Sequence, residues 1–125
     1  MHLAIVGSRE FTDYAVFSAQ VDEYIAVNGS PASIVSGGAR GVDTMAERYA
    51  KEHGIATSIK PAQWRVNGVY DRRAGFRRNS EIVAECTHAI AFPWVGSGGT
   101  QDTIRKLQLA GKPVKVIWVE PTAEK

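Results

Sequence analysis

The sequence predicts an α/β fold: a Rossmann-like three-layer sandwich with a five-stranded parallel sheet and four main helices. Three observations predict it. Short apolar runs alternate with longer stretches of helical period. Glycine-rich or polar turns follow the first, second and fourth of those runs. The 125 residues, 44% hydrophobic and 22% charged, suffice for one domain over 1–125 that buries roughly two thirds of its unfolded surface.

Leu3 to Val6 reads as the first strand, followed by a polar turn from Gly7 to Thr12. Thr12 or Asp13 caps the first helix, whose apolar residues Phe17, Val21, Tyr24 and Ile25 recur at helical spacing, and Asn28 to Pro31 stops it. Ser33 to Ser36 is the second strand. Val42, Met45, Ala46, Tyr49, Ala50 and His53 form the stripe of the second helix, ended by Gly54. Thr57 to Lys60 is the third strand, and Ala62 to Tyr70, which has no clear period, is expected to be a loop. The third helix is expected from Arg72 to Cys86, with Phe76, Ile82, Val83 and Cys86 facing inward. His88 to Phe92 is the fourth strand, Trp94 to Gly99 a turn, Thr100 to Ala110 the fourth helix and Val114 to Val119 the fifth strand. The tail from Glu120 to Lys125 is expected to fray.

Right-handed crossovers order such a sheet 3-2-1-4-5, with the first strand central. The turns after strands one, two and four then meet at the carboxyl edge, where open α/β sheets bind ligands. Composition narrows the partners. A net charge of +2 is too small to imply nucleic acid or membrane by itself. The single cysteine, Cys86, excludes an internal disulfide framework, and His2, His53 and His88 lack metal-ligand spacing. No metal or cofactor is implied. With no apolar run of about 20 residues and no basic leader, a cytoplasmic protein that does not engage membranes is expected.

Ser36, Gly37, Gly38, Ala39, Arg40, Gly41, Val42 and Asp43 place small residues between a strand and a helix N-terminus. Unpaired amides and the helix dipole favour an anion there. The plainer reading is a tight turn in which Asp43 caps the helix. Gly96, Ser97, Gly98, Gly99 and Thr100 repeat the design ahead of the fourth helix, and Gly7, Ser8 and Arg9 add a third turn with a hydroxyl and a guanidinium. Neither glycine turn matches a P-loop or a dinucleotide fingerprint, which disfavours triphosphate hydrolysis and hydride transfer. Between Lys60 and Arg78 six basic residues face one acid, a local charge of +5. Arg72 and Arg73 suit a solvated face, whereas Arg77, Arg78 and Asn79 sit mid-helix and place at least one side chain at the site. Trp64 and Trp94 stand where a ring could stack on a base or lid the core. Helix N-termini contribute at most about 2 kcal/mol each, and micromolar affinity takes about 8 kcal/mol, so stacking or arginine pairing is required.

Gly7-Ser8-Arg9 with Phe11, the run Ser36 to Asp43 with Ala46 and Ala50, Pro61-Ala62 with Trp64, Ala74-Gly75 with Arg78-Asn79, and Ala91-Phe92 before Gly98-Gly99-Thr100 together resemble the YspA/YpsA-related branch of the SLOG superfamily. The likeness runs from residue 3 to about 119. It implies a nucleotide or nucleotide-derived ligand at the carboxyl edge, held by Gly37, Gly38, Arg40, Gly41 and Asp43 on one side and Arg78, Asn79, Gly98, Gly99 and Thr100 on the other, and a homodimer. The leading expectation is a sensor or sequestering protein. The LOG-type relatives, which release a base from a nucleoside monophosphate, carry PGGxGTxxE; here Thr103 stands at the glutamate position and the proline is missing. Asp43 and Asp102 are the remaining candidate catalytic carboxylates for such an N-glycosidic hydrolase, and whether the protein is an enzyme stays open. Single-stranded DNA, the ligand of the related DNA-processing protein A, is the third and least favoured reading.

Overall fold

The computed structural model describes residues 1–122. In chain order its elements are β1 (His2–Gly7), α1 (Tyr14–Asn28), β2 (Ser33–Ser36), α2 (Val42–Glu52), β3 (Ala56–Ile59), β4 (Arg65–Val66), β5 (Val69–Tyr70), α3 (Ala74–Glu85), β6 (His88–Phe92), α4 (Gly98–Leu109) and β7 (Val114–Val116). Five strands form a parallel sheet in the order β3-β2-β1-β6-β7. That is the expected order, with the predicted fourth and fifth strands as β6 and β7.

Alternation along each strand assigns its side chains to two cores. Leu3, Ile5, Ile34, Ile90 and Phe92 face α1 and α2, where Phe11, Phe17, Val21 and Tyr49 complete an aromatic-rich layer. Phe17 packs on Phe92 at 5.1 Å between ring centroids and edge-on against Tyr49 at 6.4 Å. Burying a ring such as Phe17 contributes about 1.5–3 kcal/mol. Ala4, Val6, Val35, Ala89 and Ala91 face Ile82, Val83, Cys86 and Leu107 of α3 and α4. Alanines on this side keep the layer thin, so α3 and α4 lie close to the sheet and to the turns at its carboxyl edge.

Several expectations need correction. Ala62 to Tyr70 is not a plain loop: β4 and β5 pair antiparallel around Asn67 and Gly68, at φ 53° and 79°. Two consecutive positive φ values with Asn-Gly are the signature of a type I′ hairpin turn. Phe76 is 51% exposed, because the first turn of α3 stands at the carboxyl edge, where Lys106 of α4 rather than the sheet lies over its ring. Helix α4 begins at Gly98, so both glycines belong to its first turn, and α3 is shorter than expected at both ends. β7 pairs over three residues only, although the Ile117 and Val119 N–H groups still donate to Ala91 and Pro93 carbonyls. The tail is anchored at Thr122, whose N–H donates to the Glu10 carbonyl at 2.8 Å and whose hydroxyl accepts from the Thr12 N–H at 2.9 Å. The rest of the segment expected to fray, residues 123–125, lies outside the described residues.

Candidate functional site

Three turns leave the carboxyl edge side by side. β1 is central and the chain departs from it in both directions, so the turns after β1, β2 and β6 flank the point where strand order reverses. Ser8 ties them together. Its N–H donates to the Phe92 carbonyl at 3.0 Å, its own carbonyl accepts from the Val42 N–H at 3.2 Å, and its hydroxyl accepts from the Glu10 N–H at 3.0 Å. The contact with α2 requires glycine at position 41, where φ is +73° and a Cβ would lie 2.4 Å from the Ser8 carbonyl oxygen.

The turn between β2 and α2 is filled by the protein's own groups. The Asp43 carboxylate folds back to accept from the Ala39 N–H at 3.1 Å. The Ser36 hydroxyl accepts from the Gly38 N–H and reaches Glu47 and the Asp43 carbonyl, each at 3.4 Å. Arg78 of α3 crosses to donate to the Gly37 carbonyl at 2.7 Å. A Cβ on residue 37 would come within 2.6 Å of the Arg78 guanidinium and 2.8 Å of the Asp43 carboxylate, so glycine there lets those two groups approach. Burial pushes the Asp43 carboxyl up to about 6, against the pull of the Ala39 N–H and the Arg78 and Arg9 charges, with Glu47 adding to the rise. Burial draws Arg78 below its ordinary value while Asp43 supports its charge; a guanidinium stays protonated regardless.

The turn between β6 and α4 is open. The Ser97 hydroxyl folds back on Trp94, accepting from its N–H at 2.9 Å and donating to its carbonyl at 2.7 Å. Gly98 and Gly99 then start the helix, and a Cβ on either would meet nothing within 4 Å. The Gly98 N–H is spent on the Gly96 carbonyl at 3.2 Å, but the Gly99 and Thr100 N–H groups, like other first-turn donors, have no carbonyl partner inside the helix and face the cleft unspent. Asn79 fixes its position from α3, donating to the Gly99 carbonyl at 3.1 Å and to Asp102 at 3.3 Å while accepting from Arg78 Nε at 3.1 Å.

A cleft of about 300 Å³ lies between the turns. Of the residues singled out from sequence, Gly7, Ser8, Arg9, Asp43, Arg78, Asn79, Gly98, Gly99 and Thr100 line it. Gly37, Gly38, Arg40 and Trp64 line an adjoining groove of about 500 Å³ that shares Arg9, Ala39 and Arg78 with the cleft. Four candidates lie in neither. Ser36 is buried beneath its turn, Gly41 is buried against Ser8, and Arg77 pairs with Asp71 on another face. Asp102 is buried behind α4, paired with Arg105 at 2.6 Å and Lys106 at 2.9 Å. Burial alone raises its carboxyl, but hydrogen bonds from Lys106 and Asn79 and the two cations hold it below the usual carboxylate value. The lining also includes Glu10, Ala39, Ile82, Ser97 and Thr103, outside the set singled out as ligand-binding. Ile82 follows Asn79 by three residues on α3, a helical spacing that places both on one face.

Among the described residues, no helix is long and apolar enough to cross a membrane. A family model described as the YspA, cpYpsA-related SLOG family matches residues 1–66. Gene 61 protein of Mycobacterium phage D29 is 37% identical over 119 residues, covering 88% of this chain and 90% of the phage protein. Two solved structures share the fold. DNA processing protein A of Helicobacter pylori, described for its single-stranded DNA binding mode, is 22% identical with a TM-score of 0.65 over 93% of this chain and 64% of its own. The Streptococcus pneumoniae protein of that name is 21% identical with a TM-score of 0.70 over 98% of this chain and 50% of its own. The chain therefore spans half to two thirds of those two proteins.

Proposed function

The chain belongs to the YspA, cpYpsA-related SLOG family, and from that premise we propose that it binds a nucleotide-derived, phosphorylated ligand in the cleft, as a sensor or sequestering protein. One observation carries the reading. The N-terminus of α4 opens on the cleft through two glycines with clear space above them, and Arg9 and Arg78 line the same cleft. Backbone donors and guanidinium groups converging on one space suit a phosphoryl group. Asp43 and Glu10 supply acceptors for sugar hydroxyls. A cleft of this size falls at the lower end of small-molecule sites.

Thermal-shift titration of the full chain tests it with the four nucleoside monophosphates, ADP-ribose and cyclic dinucleotides at millimolar concentration. A ligand at 100 times its Kd stabilises the fold by about 2.7 kcal/mol. No shift with any of them rejects the reading.

A second reading, N-glycosidic hydrolysis of a nucleoside monophosphate, is favoured by Asp43, a carboxyl in the cleft with its pKa raised into the range of a general acid. Chromatography after incubation with each monophosphate is expected to reveal free base if it holds, and Asp43→Asn to abolish that release. Single-stranded DNA, which the Helicobacter pylori relative is described as binding, is a third candidate, since a strand end presents the same phosphate and sugar. Affinity falling steeply with salt identifies it. Pairing of two copies belongs to the same proposal; sedimentation as a monomer at micromolar concentration removes it.

A further inference from the structure

The groove beside the cleft differs from it in charge. Its lining includes three arginines, Arg9, Arg40 and Arg78, and no carboxylate, whereas the cleft sets Arg9 and Arg78 against Glu10 and Asp43. Each side carries one tryptophan, Trp94 in the cleft and Trp64 in the groove. Trp64 lines the groove, 37% exposed, its indole held by stacking on Tyr70 at 6.2 Å and 13° and by packing over Gly75. The β4–β5 hairpin brings Tyr70 back against Trp64, so the two rings form one stacked platform. Cleft and groove share Arg9, Ala39 and Arg78, so one molecule can occupy both without leaving the surface.

We propose that this groove is a second subsite, taking a base stacked on Trp64 and a second phosphoryl group on Arg9 and Arg40, so that the ligand carries two phosphoryl groups and a base beyond the first sugar. The inference rests on the preceding reading for the first phosphate and adds what lies past it. Every base has a π-face, so stacking supplies affinity with little base selectivity, and arginine offers the bidentate geometry that phosphate oxygens accept. Arg40 is paired with Glu10 at 3.0 Å, both largely exposed; such pairs are worth little, and a phosphoryl group can compete for the guanidinium. Two sources share this chemistry, a free dinucleotide and the 5′ end of a single strand.

Tryptophan fluorescence titration of the full chain, at fixed ionic strength, compares the four nucleoside 5′-monophosphates with the corresponding 5′-phosphorylated homodinucleotides and octamers. A dinucleotide is expected to bind at least about fivefold more tightly than its monophosphate, the low end of one base stack. Trp64→Ala and Arg40→Ala are each expected to bring it down to the monophosphate's affinity; neither residue belongs to the two cores, so the fold survives their loss. Equal affinity of monophosphate and dinucleotide overturns the second subsite and leaves the cleft reading intact. A dinucleotide whose binding depends on Trp64 but not on Gly98→Val supports the groove and overturns the cleft reading. Octamers binding as the dinucleotides do identify the free molecule as the source, and tighter octamers identify the strand; either supports the subsite. No binding by any probe overturns both readings.

Discussion

The two glycine turns on either side of β1 look alike in sequence and differ in the folded protein. In the β2–α2 turn a carboxylate one residue into the helix swings back and takes the Ala39 N–H, and Arg78 crosses the mouth to the Gly37 carbonyl. In the β6–α4 turn the acid stands at the fifth helical residue, Asp102, faces α3 and spends itself on Arg105, Lys106 and Asn79. The first turn is its own anion site, already occupied. The second spends the Gly98 N–H on the Gly96 carbonyl and keeps those of Gly99 and Thr100. Glycines permit a cradle, and the position of the next acid decides whether the cradle is vacant.

Stability separates the turns most sharply at Gly41. An alanine there must adopt φ +73° with its Cβ against the Ser8 carbonyl, adding left-handed strain to a backbone overlap. Each costs about 1–3 kcal/mol, so Gly41→Ala is expected to lose about 3 kcal/mol by denaturant unfolding. A loss under about 1 kcal/mol breaks the claim that the first two turns are locked together.

The two acids are expected to tilt stability with pH in opposite directions. Asp43 holds its proton more tightly in the folded chain, at about 6, than a free carboxyl does, at about 3.9. Its contribution is therefore full below pH 4 and falls as pH rises through about 6, by about 3 kcal/mol. Asp102 is held below its ordinary value, so its contribution is present above about pH 4 and disappears as the solution becomes more acid. Melting temperatures of Asp43→Asn and Asp102→Asn between pH 3 and 8 check this. The Asp43 variant gains on the parent protein as pH rises from 4 to 7, while the Asp102 variant falls behind it as pH rises from 3 towards 4 and keeps a constant deficit above that. Slopes of the same sign erase the distinction between the turns.

Much of this was legible from the order of residues alone. β1, β2 and β6 are short apolar runs whose alternate side chains enter two cores, and a glycine turn after each marks the carboxyl edge. The β4–β5 hairpin escaped because four exposed residues in two-residue strands carry no burial alternation; Asn67-Gly68 was its one local signal. Arg77 and Arg78 are neighbours in sequence with no local feature to separate them, and about 100° of helix sends one to Asp71 and the other to the cleft. The closure of the β2–α2 turn was also hidden, since it depends on where the Asp43 carboxylate lies relative to an amide four residues before it. The same turn was open to the simpler reading of a helix cap, and its side chain does satisfy a turn N–H, though one before the helix begins.

The smallest stability effect is expected at Gly98, and it is the most informative for function. A Cβ there meets nothing, φ is not positive, and replacing a helical glycine by alanine typically gains about 0.5–1 kcal/mol. Gly98→Ala should therefore melt at or slightly above the parent temperature. The space that makes it harmless to the fold is the space in which a phosphoryl group would approach the first-turn amides, so the same methyl should weaken binding of whichever nucleotide stabilises the parent by about tenfold, or 1.4 kcal/mol. Loss of affinity with retained stability marks an open anion site at α4. Unchanged affinity moves the phosphate elsewhere, and the difference between the two turns then concerns folding alone.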